Sequence, residues 1–258
     1  MSASAASDTH SSSGSSPVAI VADAGFYVGP PLARLLAQRG FRLVIGDPST
    51  ETTAALDALG AEYEVVTGAR NLAHPDAAPR LVTAALERFG RLDSAVAFSG
   101  VIVTGRFLTS TADDLHKVYD GCMVAPYQFL QAVLPPMIEA GAGQVLVITS
   151  ASGARPTPGA PLYSAMRAGA NHLVRNVAGE VARHGVQVNA VGTNFMDFPE
   201  FRRASGADDP AVRARLEAQV PLGRLGTVDE FAHFCGPFLD GTSRFTTGQF
   251  VSYSGGWS

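Results

Sequence analysis

From Pro17 onward, short β-branched runs alternate with longer segments of helical period, and that alternation predicts an α/β fold built on a doubly wound parallel sheet. Two further features agree. No internal repeat or linker-like stretch divides the chain, and a hydrophobic content of 46% over 258 residues suffices for one substantial core without disulfides or a structural metal.

Seven strands are expected: Val18 to Ala22, Arg42 to Gly46, Glu62 to Val66, Ser94 to Phe98, Gln144 to Thr149, Val186 to Val191 and Gln249 to Tyr253. Each is short, apolar and rich in β-branched residues, as befits strands buried on both faces. Between them, Pro31 to Gln38, Thr52 to Leu59, Ala77 to Phe89, Asp113 to Ala140, Tyr163 to Arg183 and Val228 to Leu239 carry helix formers with apolar spacing near 3.6. Residues 193–224 form the one long stretch between elements, and a loop of that length in a compact domain is often functional. The expected architecture is a single Rossmann-type domain over residues 17–258. Residues 1–16, half of them serine, read as a disordered tail.

Composition excludes several function classes. Lys and Arg number 19 against 23 Asp and Glu, with no basic run, so no electrostatic footprint for nucleic acid is present. No apolar run reaches the roughly 20 residues that span a bilayer, and the tail lacks the apolar block of a signal peptide. A soluble protein of the reducing cytoplasm is expected, which suits Cys122 and Cys235, two cysteines far apart in apolar surroundings. The six histidines (His10, His74, His116, His172, His184 and His233) show no ligand spacing with an acid, so no metal is expected.

A dinucleotide site in such a fold needs glycines after the first strand, where the chain turns tightly and its backbone approaches the pyrophosphate at the next helix N-terminus. Against the Thr-Gly-x3-Gly-x-Gly loop of short-chain dehydrogenases, Gly29 holds the last glycine, while Asp23 and Tyr27 occupy the first two. A carboxylate would face a diphosphate, and a ring would fill space that only a hydrogen atom leaves open. Asp47, at the end of the second strand, sits where an acid holds the adenosine ribose in NAD enzymes, but it also reads as a turn residue in Gly46-Asp47-Pro48. The balance is against a nicotinamide cofactor.

The fifth strand ends in Thr149-Ser150, and Tyr163 and Arg167 follow with the spacing Ser-x12-Tyr-x3-Arg. Four residues apart on a helix, Tyr163 and Arg167 share one face, while Ser150 lies at a strand's C-terminal end, where α/β sites form. A tyrosine hydroxyl, with an ordinary pKa of about 10, is a poor base at neutral pH, but a permanent guanidinium nearby favours the phenolate. Any one of these residues alone is more often structural; their joint spacing is far more specific.

Short-chain dehydrogenases share Ser-x12-Tyr but carry Lys four residues after Tyr, where it also contacts the nicotinamide ribose. Arg167 is not an equivalent donor. On Ser150, Tyr163 and Arg167, and on Ala22-x4-Tyr27-x-Gly29 against the motif Thr-x4-Phe/Tyr-x-Gly, the sequence from Val18 to Gly256 resembles the halohydrin dehalogenases, the cofactor-independent branch of the short-chain dehydrogenase/reductase superfamily. Ala22 in place of threonine is the one departure, and it bears on the shape of the loop.

The resemblance implies reversible conversion of vicinal haloalcohols to epoxides with release of halide and a proton. It also implies epoxide opening by small anions such as azide, cyanide, nitrite or halide, with no cofactor. Tyr163 then takes the hydroxyl proton, Ser150 hydrogen-bonds the substrate oxygen and Arg167 lowers the tyrosine pKa. Backside displacement needs oxygen, carbon and halide nearly in line, so the halide pocket lies opposite Tyr163, between Tyr27 and the loop from Gly192 to Asp197. Asn194 and Phe195 are its first candidates, with Thr193 and Met196 second, although Phe195 and Met196 read equally well as core. Phe198, Pro199 and Phe201 continue an aromatic loop, and further pocket walls are sought at Ile102, Leu162 and Trp257. The segment Val118 to Met137 lacks the Asn that dehydrogenases often use in a proton relay. By the same analogy, the helices Asp113 to Ala140 and Tyr163 to Arg183 pack in a homotetramer. The rival readings are an NAD(P)-dependent short-chain dehydrogenase/reductase, supported by Asp47 and the Ser-Tyr pair, and a catalytically silent, ligand-sensing member of the fold.

Overall fold

The computed structural model describes residues 16–98 and 100–258. All but the last residue of the expected Ser-rich tail thus lies outside the described residues.

Seven strands form the main sheet: β1 (Val18–Val21), β2 (Arg42–Gly46), β3 (Tyr63–Val66), β4 (Ser94–Phe98), β5 (Gly143–Ser150), β6 (Val186–Thr193) and β9 (Phe250–Tyr253). They lie in the order β3-β2-β1-β4-β5-β6-β9 with every neighbouring pair parallel. Because side chains alternate along a strand, Val18, Ile20 and Ala22 enter one core, with Phe129, Val133, Val174 and Ala178. Ala19 and Val21 enter the other, with Leu32, Leu36, Leu56 and Phe231. Chain order reverses between β1 and β4, so a crevice opens beyond the carboxyl ends of these strands. Ser150 and Thr193 end β5 and β6 side by side in the register.

The helices are α1 (Gly29–Gln38), α2 (Thr50–Ala58), α3 (Ala77–Phe89), α4 (Ala112–Tyr119), α5 (Ala125–Ala140), α6 (Pro161–Val181), α7 (Pro199–Ser205), α8 (Pro210–Glu217) and α9 (Val228–Cys235). Local chemistry sets their ends. Ser49 and Asp209 accept from the first-turn N–H groups of α2 and α8, Thr111 and Thr227 form capping boxes with Asp114 and Glu230, and Gly90 and Gly141 end α3 and α5 in the left-handed conformation.

Three expectations need correction. The helix from Asp113 to Ala140 is two helices joined by a π turn at Asp120–Val124, placed where the loop after β4 packs on it and the Cys122 thiol donates to the Val101 carbonyl at 3.9 Å. The stretch 193–224 is not an open loop, since it holds α7, α8 and the short strand β7 (Met196–Asp197), which pairs with β8 (Gly226–Thr227). The Asp197 carboxylate closes this excursion by accepting from Arg202 and Arg213, both at or below 2.8 Å, a pairing sixteen residues long that no local pattern reveals. The helix beginning at Val228 stops at Cys235 and gives way to a 3-10 turn at Gly236–Phe238, because Gly236-Pro237 cannot continue it. Both cysteines are buried free thiols. Among the described residues no helix is long and apolar enough to cross a membrane.

The Arg224 guanidinium and the Thr227 backbone and hydroxyl hold the Glu230 carboxyl down at about 2, from an ordinary 4.5. A depressed carboxyl stabilises the fold above its unfolded value and loses that contribution as pH falls through the folded one. Thermal unfolding of the wild type should therefore gain an acid-dependent loss between pH 4.5 and about 2 that Glu230→Gln lacks. Identical curves for the two proteins in that window would remove the assignment.

Candidate active site

Ser150 ends β5, and its position is fixed from three sides. It is 5% exposed; its Oγ accepts from the Ser152 N–H at 3.1 Å and donates to the Thr193 carbonyl at 3.3 Å. Tyr163 and Arg167 come from the first two turns of α6, and Pro161 starts that helix at a position needing no N–H partner. Two contacts tie α6 to the end of β5. The Ser164 hydroxyl donates to the Ser152 carbonyl at 2.6 Å, and the buried Thr149 hydroxyl donates to Asn171 Oδ1 at 2.7 Å. The sequence spacing therefore becomes a fixed constellation. Arg167 lies with its guanidinium carbon 5.1 Å from the Tyr163 ring centre, and both side chains are buried.

Tyr27 reaches the same place from the loop after β1. Its hydroxyl donates to Thr193 Oγ1 at 2.8 Å, which seats the ring beside the end of β6 and next to Ser150. The ring packs on Phe198 at 4.7 Å, Phe98 at 5.0 Å and Phe231 at 6.0 Å between centres. Burial pushes the Tyr27 hydroxyl far above its ordinary range, the bond to Thr193 opposes the rise, and the neighbouring Tyr163 adds to it. Tyr27 is thus a neutral donor, and the Arg167 guanidinium packs over the ring of Tyr163.

Of the other anion-loop candidates, Asn194, Phe195 and Met196 do not meet Tyr27. They line a separate cavity of about 110 Å³ with Val220, Leu222 and Tyr253. Met196 is 3% exposed and belongs to the core, and Phe195 stands edge-on to Trp257 and Phe201. Phe198 takes the place beside Tyr27 that Phe195 was expected to hold, because Phe195 adopts a φ of 51° that turns the chain at the β6 end. Among the described residues, the non-glycine positions with positive φ are Tyr27, Asp47 and Phe195, all at this rim of the sheet, where backbone strain tends to concentrate in functional sites. Trp257 is held by Arg155, whose guanidinium donates to the Trp257 carbonyl at 2.7 Å and stacks 4.5 Å from the ring centre. Ile102 is exposed, and Leu162 packs with Tyr163.

The residues at the head of the crevice do not fit a dinucleotide. Asp23 turns its carboxylate onto the Gly25 N–H at 3.1 Å and pairs with Arg70 at 3.0 Å, across the place of the diphosphate. Asp47 is neither a free ribose ligand nor a simple turn residue. Its carboxylate accepts from the N–H groups of Gly68, Ala69 and Arg70 at 2.6 to 2.8 Å. The gap between the β1 and β2 loops is closed, since a Cβ on Gly25 would lie 2.3 Å from the Asp47 carbonyl. Gly29 persists for packing alone, a Cβ there falling 1.8 Å from the Asp23 carbonyl. What remains is a cavity of about 460 Å³ lined by Asp23, Phe26, Arg70, Phe98 and Gly100.

Residues 28–258 match the family described as enoyl-(acyl carrier protein) reductase. Across 93% of its length the chain is 26% identical to the 3-oxoacyl-[acyl-carrier-protein] reductase FabG of Thermotoga maritima and 30% identical to the corresponding reductase of Synechocystis, covering 96% of each. It is 30% identical, over the same shares, to the 4-formylbenzenesulfonate dehydrogenase TsaC1/TsaC2 of Comamonas testosteroni. The crystal structure of gox2181 superposes with a TM-score of 0.83 over 94% of this chain and 95% of that one, at 26% identity. The chain belongs to the short-chain dehydrogenase/reductase superfamily, and its parallel seven-stranded sheet matches that membership.

Phe26, Phe98 and the Thr149–Asn171 pair escaped the sequence reading, because aromatic and small polar residues at strand ends carry no spacing signal; Phe198 reads from the sequence only as part of an aromatic loop. Replacing Asp47 by Ala should cost about 2 kcal/mol in urea unfolding, as three backbone donors lose a charged acceptor. A ribose-binding role would instead leave stability nearly unchanged.

Proposed function

We propose that this chain converts vicinal haloalcohols to epoxides, and opens epoxides with small anions, without a nicotinamide cofactor. The observation that carries the reading is the buried Tyr27 ring, hydrogen-bonded to Thr193 beside Ser150 in the part of the crevice where a hydride donor would have to stand. The Asp23–Arg70 pair and the engaged Asp47 support it from the adenosine side.

In this reading Tyr163 as phenolate takes the proton of the substrate hydroxyl, and Arg167 stabilises the phenolate charge. Ser150 donates to the substrate oxygen. Its 3.3 Å bond to the Thr193 carbonyl is the long one of its two, and is the bond that substrate replaces. The substrate oxygen forms a bond to the neighbouring carbon as the carbon–halogen bond breaks, and the halide leaves on the side away from Tyr163. Tyr27 and Thr193 bound the halide seat, with the ring edges of Phe98 and Phe198 supplying partial positive charge without competing hydration. Asn194, Phe195 and Met196, which line the separate cavity beside Tyr253, take no part in that seat. The protein acts as a homotetramer through α4, α5 and α6, a face on which Leu115, Tyr119 and Tyr127 are exposed.

A second reading, an NAD(P)-dependent reductase or dehydrogenase, is favoured by the names of the relatives, which are those of oxidoreductases. Halide release from short chloro- and bromoalcohols, assayed with no nicotinamide, separates the two. The wild type should release halide, and Tyr163→Phe should lose about 10²- to 10⁴-fold in rate, the range for removing a general base. If the wild type releases none while NADH or NADPH raises its unfolding temperature, the oxidoreductase reading replaces this one.

A further inference from the structure

Arg167 is an unusual cation. It is 1% exposed, and among the described residues neither Nε nor Nη1 has a hydrogen-bond partner and no carboxylate pairs with it. Buried charges are ordinarily held by a counter-charge, so its place must be fixed sterically. The surface that fixes it is the bare backbone of Gly100, just past the end of β4. A Cβ on Gly100 would fall 1.7 Å from Nη2, 2.5 Å from Cζ and 3.1 Å from Nη1, so the guanidinium occupies the volume of the missing side chain. With a φ of 140°, Gly100 also holds a backbone conformation that L side chains rarely adopt. On its far side the same glycine lines the 460 Å³ cavity.

We infer that Gly100 is a positioning residue for Tyr163, seating the Arg167 guanidinium against the tyrosine ring by leaving a side chain's volume empty. The inference rests on the reading of Ser150, Tyr163 and Arg167 as the reacting set, but it concerns the protein before any substrate binds. With no acid to share it, the guanidinium directs its charge at the phenol, and any side chain at position 100 moves that charge.

The test is the alkaline ultraviolet titration of Tyr163, isolated as the difference between each protein and its Tyr163→Phe counterpart, run beside the pH profile of halide release. In Gly100→Ala the phenolate signal and the rising limb of the profile should both move to higher pH by about one unit, a tenfold loss of phenolate at a given pH. In an Arg167→Lys background, where a slimmer head leaves room for the methyl group, Gly100→Ala should move the titration far less. An unchanged Tyr163 titration in folded Gly100→Ala overturns the inference, and so does an equal shift in both backgrounds, which would assign the effect to backbone strain. If Gly100→Ala fails to fold alone but folds with Arg167→Lys, the steric relation stands; failure in both backgrounds overturns it. Because the titration needs no substrate, a wild type that releases no halide sinks the proposed function and leaves this result to be read separately.

Discussion

The hydrogen bond from Tyr27 to Thr193 is the contact on which the rest of the site depends. It joins the loop after the first strand to the end of the sixth, two segments 166 residues apart, and it does so next to Ser150. A phenol ring buried to this degree needs a partner for its hydroxyl, and the Thr193 side chain at the carboxyl edge of the sheet provides it. With the ring so fixed, Phe98 and Phe198 complete an aromatic wall across the switch point of the fold.

Charge is handled differently on the two sides of the wall. Toward the second strand every charge is met. Asp23 pairs with Arg70, and Asp47 ties down three consecutive N–H groups, so the loops after the first two strands are tied to the backbone and side chain at 68–70. Toward α6 the guanidinium of Arg167 is left without a carboxylate among the described residues and packs on glycine. The same guanidinium packs over the Tyr163 ring, 5.1 Å from its centre.

The resemblance to 3-oxoacyl reductases extends over 93% of the chain. Asp23, Tyr27 and Arg167 are three positions at the crevice that weigh little in an identity percentage. Fold is shared across the superfamily, whereas function belongs to the site grafted onto it.

The sequence by itself determined the order of strands and helices, the parallel sheet and the placing of Tyr163 and Arg167 together on one helix. These follow from periods of 2 and 3.6 residues and from a fixed helical spacing, all of which are local. It also placed Tyr27 in the loop after the first strand, because that position follows directly from the end of a strand. Contacts over long separations were decided only in three dimensions: Asp197 with Arg213, Thr149 with Asn171, Asp47 with the 68–70 backbone, and Gly100 under Arg167. For the same reason Phe198 rather than Phe195 came to lie against Tyr27. Two aromatic residues three apart are equivalent as letters, and only the backbone turn at Phe195, with its positive φ, decides which of them faces the site.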